Sequence, residues 1–136
     1  MKVSPYLNFD GRCAAAFEFY AKCLEGKVTF GMTFGDSPMA GQVPPDWHKK
    51  LMHATLEVDD MTLMGCDAPP GRYERPQGIH VAIGLDDLVT AARIFDALAA
   101  GGTISMPLQE TFWAARFGML VDQFGIPWMI NCAKPA

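Results

Sequence analysis

Charge is scarce in this sequence. Asp, Glu, Lys and Arg make up 19% of 136 residues, the net charge is −4, and no segment gathers cations into a stripe. Nothing is available to neutralise a run of phosphates, so nucleic-acid binding is not expected. Long apolar runs are also missing. None approaches the roughly 18 residues of a membrane span, and the N-terminus lacks a signal-peptide core. A cytoplasmic protein without a membrane partner is expected. The four cysteines, Cys13, Cys23, Cys66 and Cys132, follow no zinc-motif spacing. Cys13 and Cys23 fall on one predicted helix, roughly 15 Å apart at about 1.5 Å per residue, too far to bridge. Reduced, buried thiols are expected. No glycine-rich nucleotide loop is found.

What the chain does have is apolar mass: half its residues are hydrophobic, with 9 Phe, 9 Met and 3 Trp. At this length one domain with a core of its own is expected. It is also written twice. Residues 5–29 and 80–104 share one plan, with Ala16 and Ala91, Tyr20 and Phe95, and Gly26 and Gly101 all 75 positions apart. The offset slips to 76 if Val28 is paired with Ile104. Half a domain cannot bury its own apolar face, and a second copy supplies cover. A ligand cleft between the copies is expected from the same logic.

Period-two alternation predicts a first strand over 3–9, with Val3, Pro5, Leu7 and Phe9 on one face. Apolar residues at three- and four-residue steps predict a helix over 13–24, with Ala16, Phe17, Tyr20, Cys23 and Leu24 buried and Gly26 as its C-cap. A strand over 27–34 follows. Residues 35–47, with three prolines and two glycines, form a loop long enough to be a functional cover or a partner contact. A hairpin over 52–58 and 61–66 turns at Asp59-Asp60. Residues 67–78 form the crossover. The second copy has a strand over 79–85, a helix capped by Asp86 or Asp87 and running to about 100, a strand over 103–108, and a hairpin of 117–121 with 127–132. The reading is an α+β fold of two βαβββ modules, about 1–68 and 78–134, in a single domain spanning 1–136 with mostly antiparallel sheets.

Several strings carry a resemblance: Pro5-Tyr6-Leu7-Asn8-Phe9-Asp10-Gly11, Phe19-Tyr20, Met106-Pro107-Leu108, Thr111-Phe112-Trp113-Ala114 and Asp122-Gln123-Phe124-Gly125-Ile126-Pro127-Trp128-Met129. In these the chain resembles the vicinal oxygen chelate superfamily of glyoxalases, bleomycin-resistance proteins and dioxygenases, and within it the PhnB-like branch. The resemblance implies a U-shaped sheet around a cleft, and often a homodimer. A ubiquinone-methyltransferase activity, a label PhnB-like proteins have carried, is not expected without a nucleotide loop.

Metal-dependent members draw His and Glu from the first and last strands of each module. The matching positions here are Ser4 or Pro5, Met64 or Gly65, His80, and Met129. His80 alone is a good ligand for a divalent ion, so neither a metal nor another cofactor is expected. His80 should face the cleft, since Ile79 and Val81 face the helix, and it is the lead candidate for an acid–base or ligand contact. His53, Thr55 and Glu57 share one strand face and are expected to line the same cleft, with His53 and Glu57 about 13 Å apart at roughly 3.3 Å per residue, too far to chelate one ion. Trp113 and Arg116 should stand at the sheet mouth, the latter able to meet an anionic group. Met64 and Met129 would give a soft, adaptable lining. Asp67 and His48 are expected at the surface.

Ligand binding is thus expected at His53, Glu57, Met64, His80, Trp113, Arg116 and Met129, with a small organic molecule as partner and no metal. The alternative is a metal-dependent lyase, isomerase or dioxygenase with ligands drawn from His53, Glu57 and His80. A further alternative is a non-catalytic homodimeric interaction module using the 35–47 loop.

Overall fold

Two stretches of residues with helical periodicity and eight with extended character assemble, in the computed structural model, into two α+β units. The structure describes residues 1–135. One unit is Met1–Glu74 and the second begins at Arg75. No helix among the described residues is long and apolar enough to cross a membrane.

In the first unit the order is β1 (Tyr6–Phe9), α1 (Cys13–Leu24), β2 (Lys27–Thr33), β3 (Leu51–Val58) and β4 (Met61–Asp67). The sheet runs β1-β4-β3-β2, with β1 parallel to β4 and the other pairs antiparallel. Helix α1 buries Cys13, Ala16, Phe17, Tyr20 and Cys23 against the sheet face carrying Leu7, Phe9, Ala54, Leu56 and Leu63. The contact is close because Gly65 has no side chain: a Cβ there would stand 2.9 Å from the Phe17 ring and 2.8 Å from the Leu7 carbonyl.

The second unit repeats this plan: β5 (Val81–Leu85), α2 (Leu88–Ala99), β6 (Thr103–Gln109), β7 (Ala114–Val121) and β8 (Pro127–Ala133). Its sheet runs β5-β8-β7-β6, again with a parallel pair, β5 with β8. Helix α2 buries Ala91, Ile94, Phe95 and Leu98, and Phe95 stands over Gly118, where a Cβ would lie 2.7 Å from the ring. Trp128, Leu120, Ile130 and Cys132 complete that core.

Both helices occupy the expected residues, but their ends are built differently. Glu25, not Gly26, takes the left-handed conformation after α1 (φ 55°), and Gly26 donates to the Ala21 carbonyl. Gly26 is needed for another reason: a Cβ would meet Val58 at 2.6 Å. After α2 the expected glycine does turn left-handed, at Gly101 (φ +75°). Asp87 caps α2 by accepting from the Thr90 amide. No side chain next to α1 does this. Asp67, at the far end of β4, accepts from the Gly11 and Cys13 amides through Oδ1 and from the Leu51 amide through Oδ2. Asp67 is therefore a buried clamp, 1% exposed, rather than a surface acid. Three backbone donors without water would otherwise be left unpaired.

Strands β1 and β5 are shorter than expected. Val3 is 91% exposed and Ile79 75% exposed, so Ile79 does not face a helix; Pro5 also has no N–H to pair. The 35–47 loop folds into two 3-10 turns, Ala40–Gln42 and Pro45–Trp47. His48 is half-buried rather than superficial, and its Nε2–H donates to the Ala40 carbonyl at 2.8 Å. Lys50 ties the loop to the β1–α1 turn, donating to the Gly11 carbonyl at 2.9 Å.

Candidate functional site

Each sheet has a face its helix does not cover, and strand alternation decides what stands there. On the first sheet the register sets Tyr6 beside Met64, Met64 beside Thr55, and Thr55 beside Phe30. One step along lies a second row, in which Asn8 pairs with Cys66 and His53 with Met32. Beyond Thr55 on the same side of β3 comes Glu57, opposite Thr62 and Lys27.

Across these rows runs a short polar chain. The Tyr6 hydroxyl lies 3.0 Å from His53 Nδ1, and His53 Nε2 lies 3.1 Å from Thr55 Oγ1. Aromatic rings hold the imidazole from two sides, Tyr6 with centroids at 5.6 Å and Phe30 at 5.9 Å. The Cys66 thiol donates to Asn8 Oδ1 at 3.2 Å. Partial burial, with the Cys66 sulfur nearby, pushes the Tyr6 hydroxyl well above its ordinary range, and burial also raises Cys66. Both groups therefore stay protonated near neutrality: Tyr6 is a donor, and the thiol is a poor nucleophile.

The sequence-predicted residues divide into three groups. His53 and Met64 stand together on this face with Glu57 flanking them. Met129 and Trp113 belong to the second unit. Met129 sits on the open face of β8, beside Ala82 and Met119. Trp113 is half-exposed and packs edge-on between Phe112 at 4.8 Å and Phe117 at 5.2 Å. The remaining two are exposed residues of the second unit. His80 is exposed and just precedes β5. Arg116 pairs with Cys132, whose side chain is on the helix side, and Nη1 donates to the adjacent Ala115 carbonyl at 2.6 Å.

Tyr6 and Phe30 escaped the sequence reading. Tyr6 alternates with buried Leu7 and Phe9, but its meeting with His53 depends on strand order, which places β4 between β1 and β3; Phe30 stands in a strand without buried residues, so alternation gave it no mark.

The donors on this face do not fit a divalent ion. Among the described residues no three of His, Cys, Asp and Glu are grouped to hold a metal.

The sequence profile of the Glyoxalase/Bleomycin resistance protein/Dioxygenase superfamily matches residues 2–130. Protein YjdN of Escherichia coli K12 is 35% identical over 144 residues, covering 98% of this chain and 97% of YjdN. The crystal structure of protein PA1353 from Pseudomonas aeruginosa is 43% identical, with a TM-score of 0.90 over 99% of both chains. A Bacillus cereus structure described as a putative 3-demethylubiquinone-9 3-methyltransferase, PhnB protein, has a TM-score of 0.81 at 21% identity, covering 98% of this chain and all of its own. That last likeness is one of fold.

Proposed function

The chain belongs to the Glyoxalase/Bleomycin resistance protein/Dioxygenase superfamily, and from that premise we propose that it binds a small organic molecule on the open face of its first sheet, without a divalent metal. The observation that carries this reading is the hydrogen-bonded chain of Tyr6, His53 and Thr55 set between Phe30 and Met64. A few polar groups placed among aromatic and thioether surface are what orients an organic ligand. A structural role alone would not require Phe30 to be 47% and Tyr6 45% exposed. Glu57 flanks the site. The apolar pair Trp113 and Met129 belongs to the second unit, and binding here does not need it; nor does it need His80 or Arg116.

A thermal-shift screen of neutral and anionic aromatic compounds tests the reading. A ligand present at about a hundred times its Kd raises Tm by on the order of 5–10 °C for a domain of this size. The shift should vanish in Phe30→Ala and shrink in His53→Ala. No shift with any compound, or a shift unchanged in both variants, removes the proposal.

A further inference from the structure

The direction of the polar chain can be worked out, and with it the kind of atom the site recognises. A neutral imidazole has one N–H and one lone pair, so its two partners cannot both be donors or both acceptors. Tyr6 O–H has two acceptors within reach, His53 Nδ1 at 3.0 Å and the Cys66 sulfur. An imidazole nitrogen is much the better acceptor, and the Cys66 S–H is itself turned to Asn8 Oδ1. Tyr6 therefore donates to Nδ1. That fixes the imidazole hydrogen on Nε2, where it donates to Thr55 Oγ1 at 3.1 Å. The Thr55 oxygen is then occupied as an acceptor by His53, and its own hydrogen has no partner among the described residues. The strand register puts Thr55 directly between Phe30 on β2 and Met64 on β4, close enough for both side chains to flank it.

Resting on the binding reading above, we propose that Tyr6, His53 and Thr55 form a one-way hydrogen-bond chain ending in a single outward donor, and that the site takes a flat aromatic molecule through a neutral carbonyl oxygen. The aromatic part lies against Phe30 and Met64, and the carbonyl accepts from Thr55. A carboxylate is disfavoured because the chain carries no net charge to compensate it, and a desolvated anion with one neutral donor is costly. Lys27, the cation on this sheet, is paired in register with Glu57. His53 is a positioning residue: it touches no ligand atom and sets which way Thr55 points.

Two measurements test this on the full chain. Nitrogen-15 NMR of the histidine rings reports the tautomer directly. The Nε2–H form is expected for His53, becoming mixed in Tyr6→Phe; a wild-type Nδ1–H form overturns the chain. Calorimetric titration with 2-acetylnaphthalene and its planar isostere 2-isopropenylnaphthalene, which has no acceptor, reads the donor. The acetyl compound should bind about five- to tenfold tighter, the range one net hydrogen bond supplies. Thr55→Val should erase that ratio while leaving the isopropenyl affinity within about twofold, and Thr55→Ser should restore it. Equal binding of the pair by the wild type, or a preference that survives in Thr55→Val, overturns the chain but leaves the binding reading standing. Tighter binding of 2-naphthoate than of 2-acetylnaphthalene overturns the neutral acceptor. If neither naphthalene binds but another compound of the thermal-shift screen does, the carbonyl reading falls and the binding reading stands; if no compound binds, both fall.

Discussion

Laid over one another by strand register, the two modules place the same positions on their open sheet faces and fill most of them with different chemistry. In the first, one row reads Tyr6, Met64, Thr55, Phe30. The corresponding row of the second reads Ala82, Met129, Met119, Met106. The next row holds Asn8, Cys66, His53 and Met32 in the first module and Gly84, Asn131, Phe117 and Gln109 in the second. Tyrosine is thus answered by alanine, histidine by phenylalanine and threonine by methionine. The helix-side positions stay apolar with one exception: Leu7 and Phe9 stand where Ile83 and Leu85 stand, Leu63 and Gly65 where Trp128 and Ile130 stand, and buried Asp67 where Cys132 stands, while α1 and α2 keep the same length and the same 75-residue offset. Helix-side residues must fill a fixed gap at near-crystalline density, whereas an open face has no such constraint. The repeat built a scaffold twice, and Ala82, Phe117 and Met119 at the matching positions of the second copy cannot form the chain of Tyr6, His53 and Thr55.

The largest expected effect tests how each module secures its turns. Both bury one carboxylate, but the two do different jobs. Asp67 joins the β1–α1 turn to the start of β3, segments far apart in sequence. Asp122 works within its own hairpin, accepting from the Phe124 and Ile126 amides and from Trp128 Nε1. Removing Asp67 strands donors from two distant segments, of which only the Cys13 bond is fully buried. Removing Asp122 strands two turn amides and the indole of Trp128, all in buried bonds. Asp122→Ala should therefore cost about 3–5 kcal/mol in urea denaturation and Asp67→Ala about 2–3 kcal/mol. A larger loss at Asp67 would mean that joining distant segments outweighs depth of burial.

A smaller effect comes from copying the second face onto the first. The triple substitution Tyr6→Ala, His53→Phe, Thr55→Met gives module one the residues of module two at three register positions. Side chains on a face the helix does not cover repack at little cost, so stability should change by no more than about 1.5 kcal/mol. Discrimination between 2-acetylnaphthalene and its isopropenyl isostere should disappear altogether. A variant that unfolds instead would show that the polar chain holds the fold together and that the open faces are not free to diverge.

These contrasts were unevenly legible in the sequence. The helices could be read to within about a residue because a 3.6-residue period is a local signal, and Cys13–Leu24 and Leu88–Ala99 both carry it. The hairpins were found with ends off by one to three residues: β7 begins at Ala114, whose poor strand propensity is overridden by its pairing with Ala133. The start of β1 lies later than alternation through Val3 and Pro5 predicts, because Pro5 offers β4 only its carbonyl, which accepts from the Met64 amide, and the register begins at Tyr6. That His53 and Thr55 share a face followed from period two alone. Their contact with Tyr6, 47 residues away from His53, did not, because it depends on which strands become neighbours. The buried role of Asp67 was hidden for the same reason, since a carboxylate 54 residues from the amide it caps leaves no motif.

The smallest effect is a pH dependence confined to one helix start. The hydrogen bonds from the Thr90 side chain and amide hold the Asp87 carboxyl below the usual carboxylate range. A carboxyl with a folded pKa below its unfolded one favours the folded state fully above the unfolded value, and that contribution is lost as pH falls through the folded value. On acidification the Thr90 amide should then lose protection from hydrogen exchange as Asp87 protonates. Asp87→Asn removes the ionisable group but keeps an N-cap acceptor, so its Thr90 protection should be flat over the same acid range. The Cys13 amide in module one provides the comparison, because its cap is supplied by the buried Asp67 and belongs to the folded core rather than to an exposed turn. It should exchange only with global unfolding. If Thr90 protection in the wild type does not change with acid, or the Cys13 amide loses protection together with it below the global transition, then the two helix starts are secured in the same way, and the difference between a local and a long-range cap has no energetic consequence.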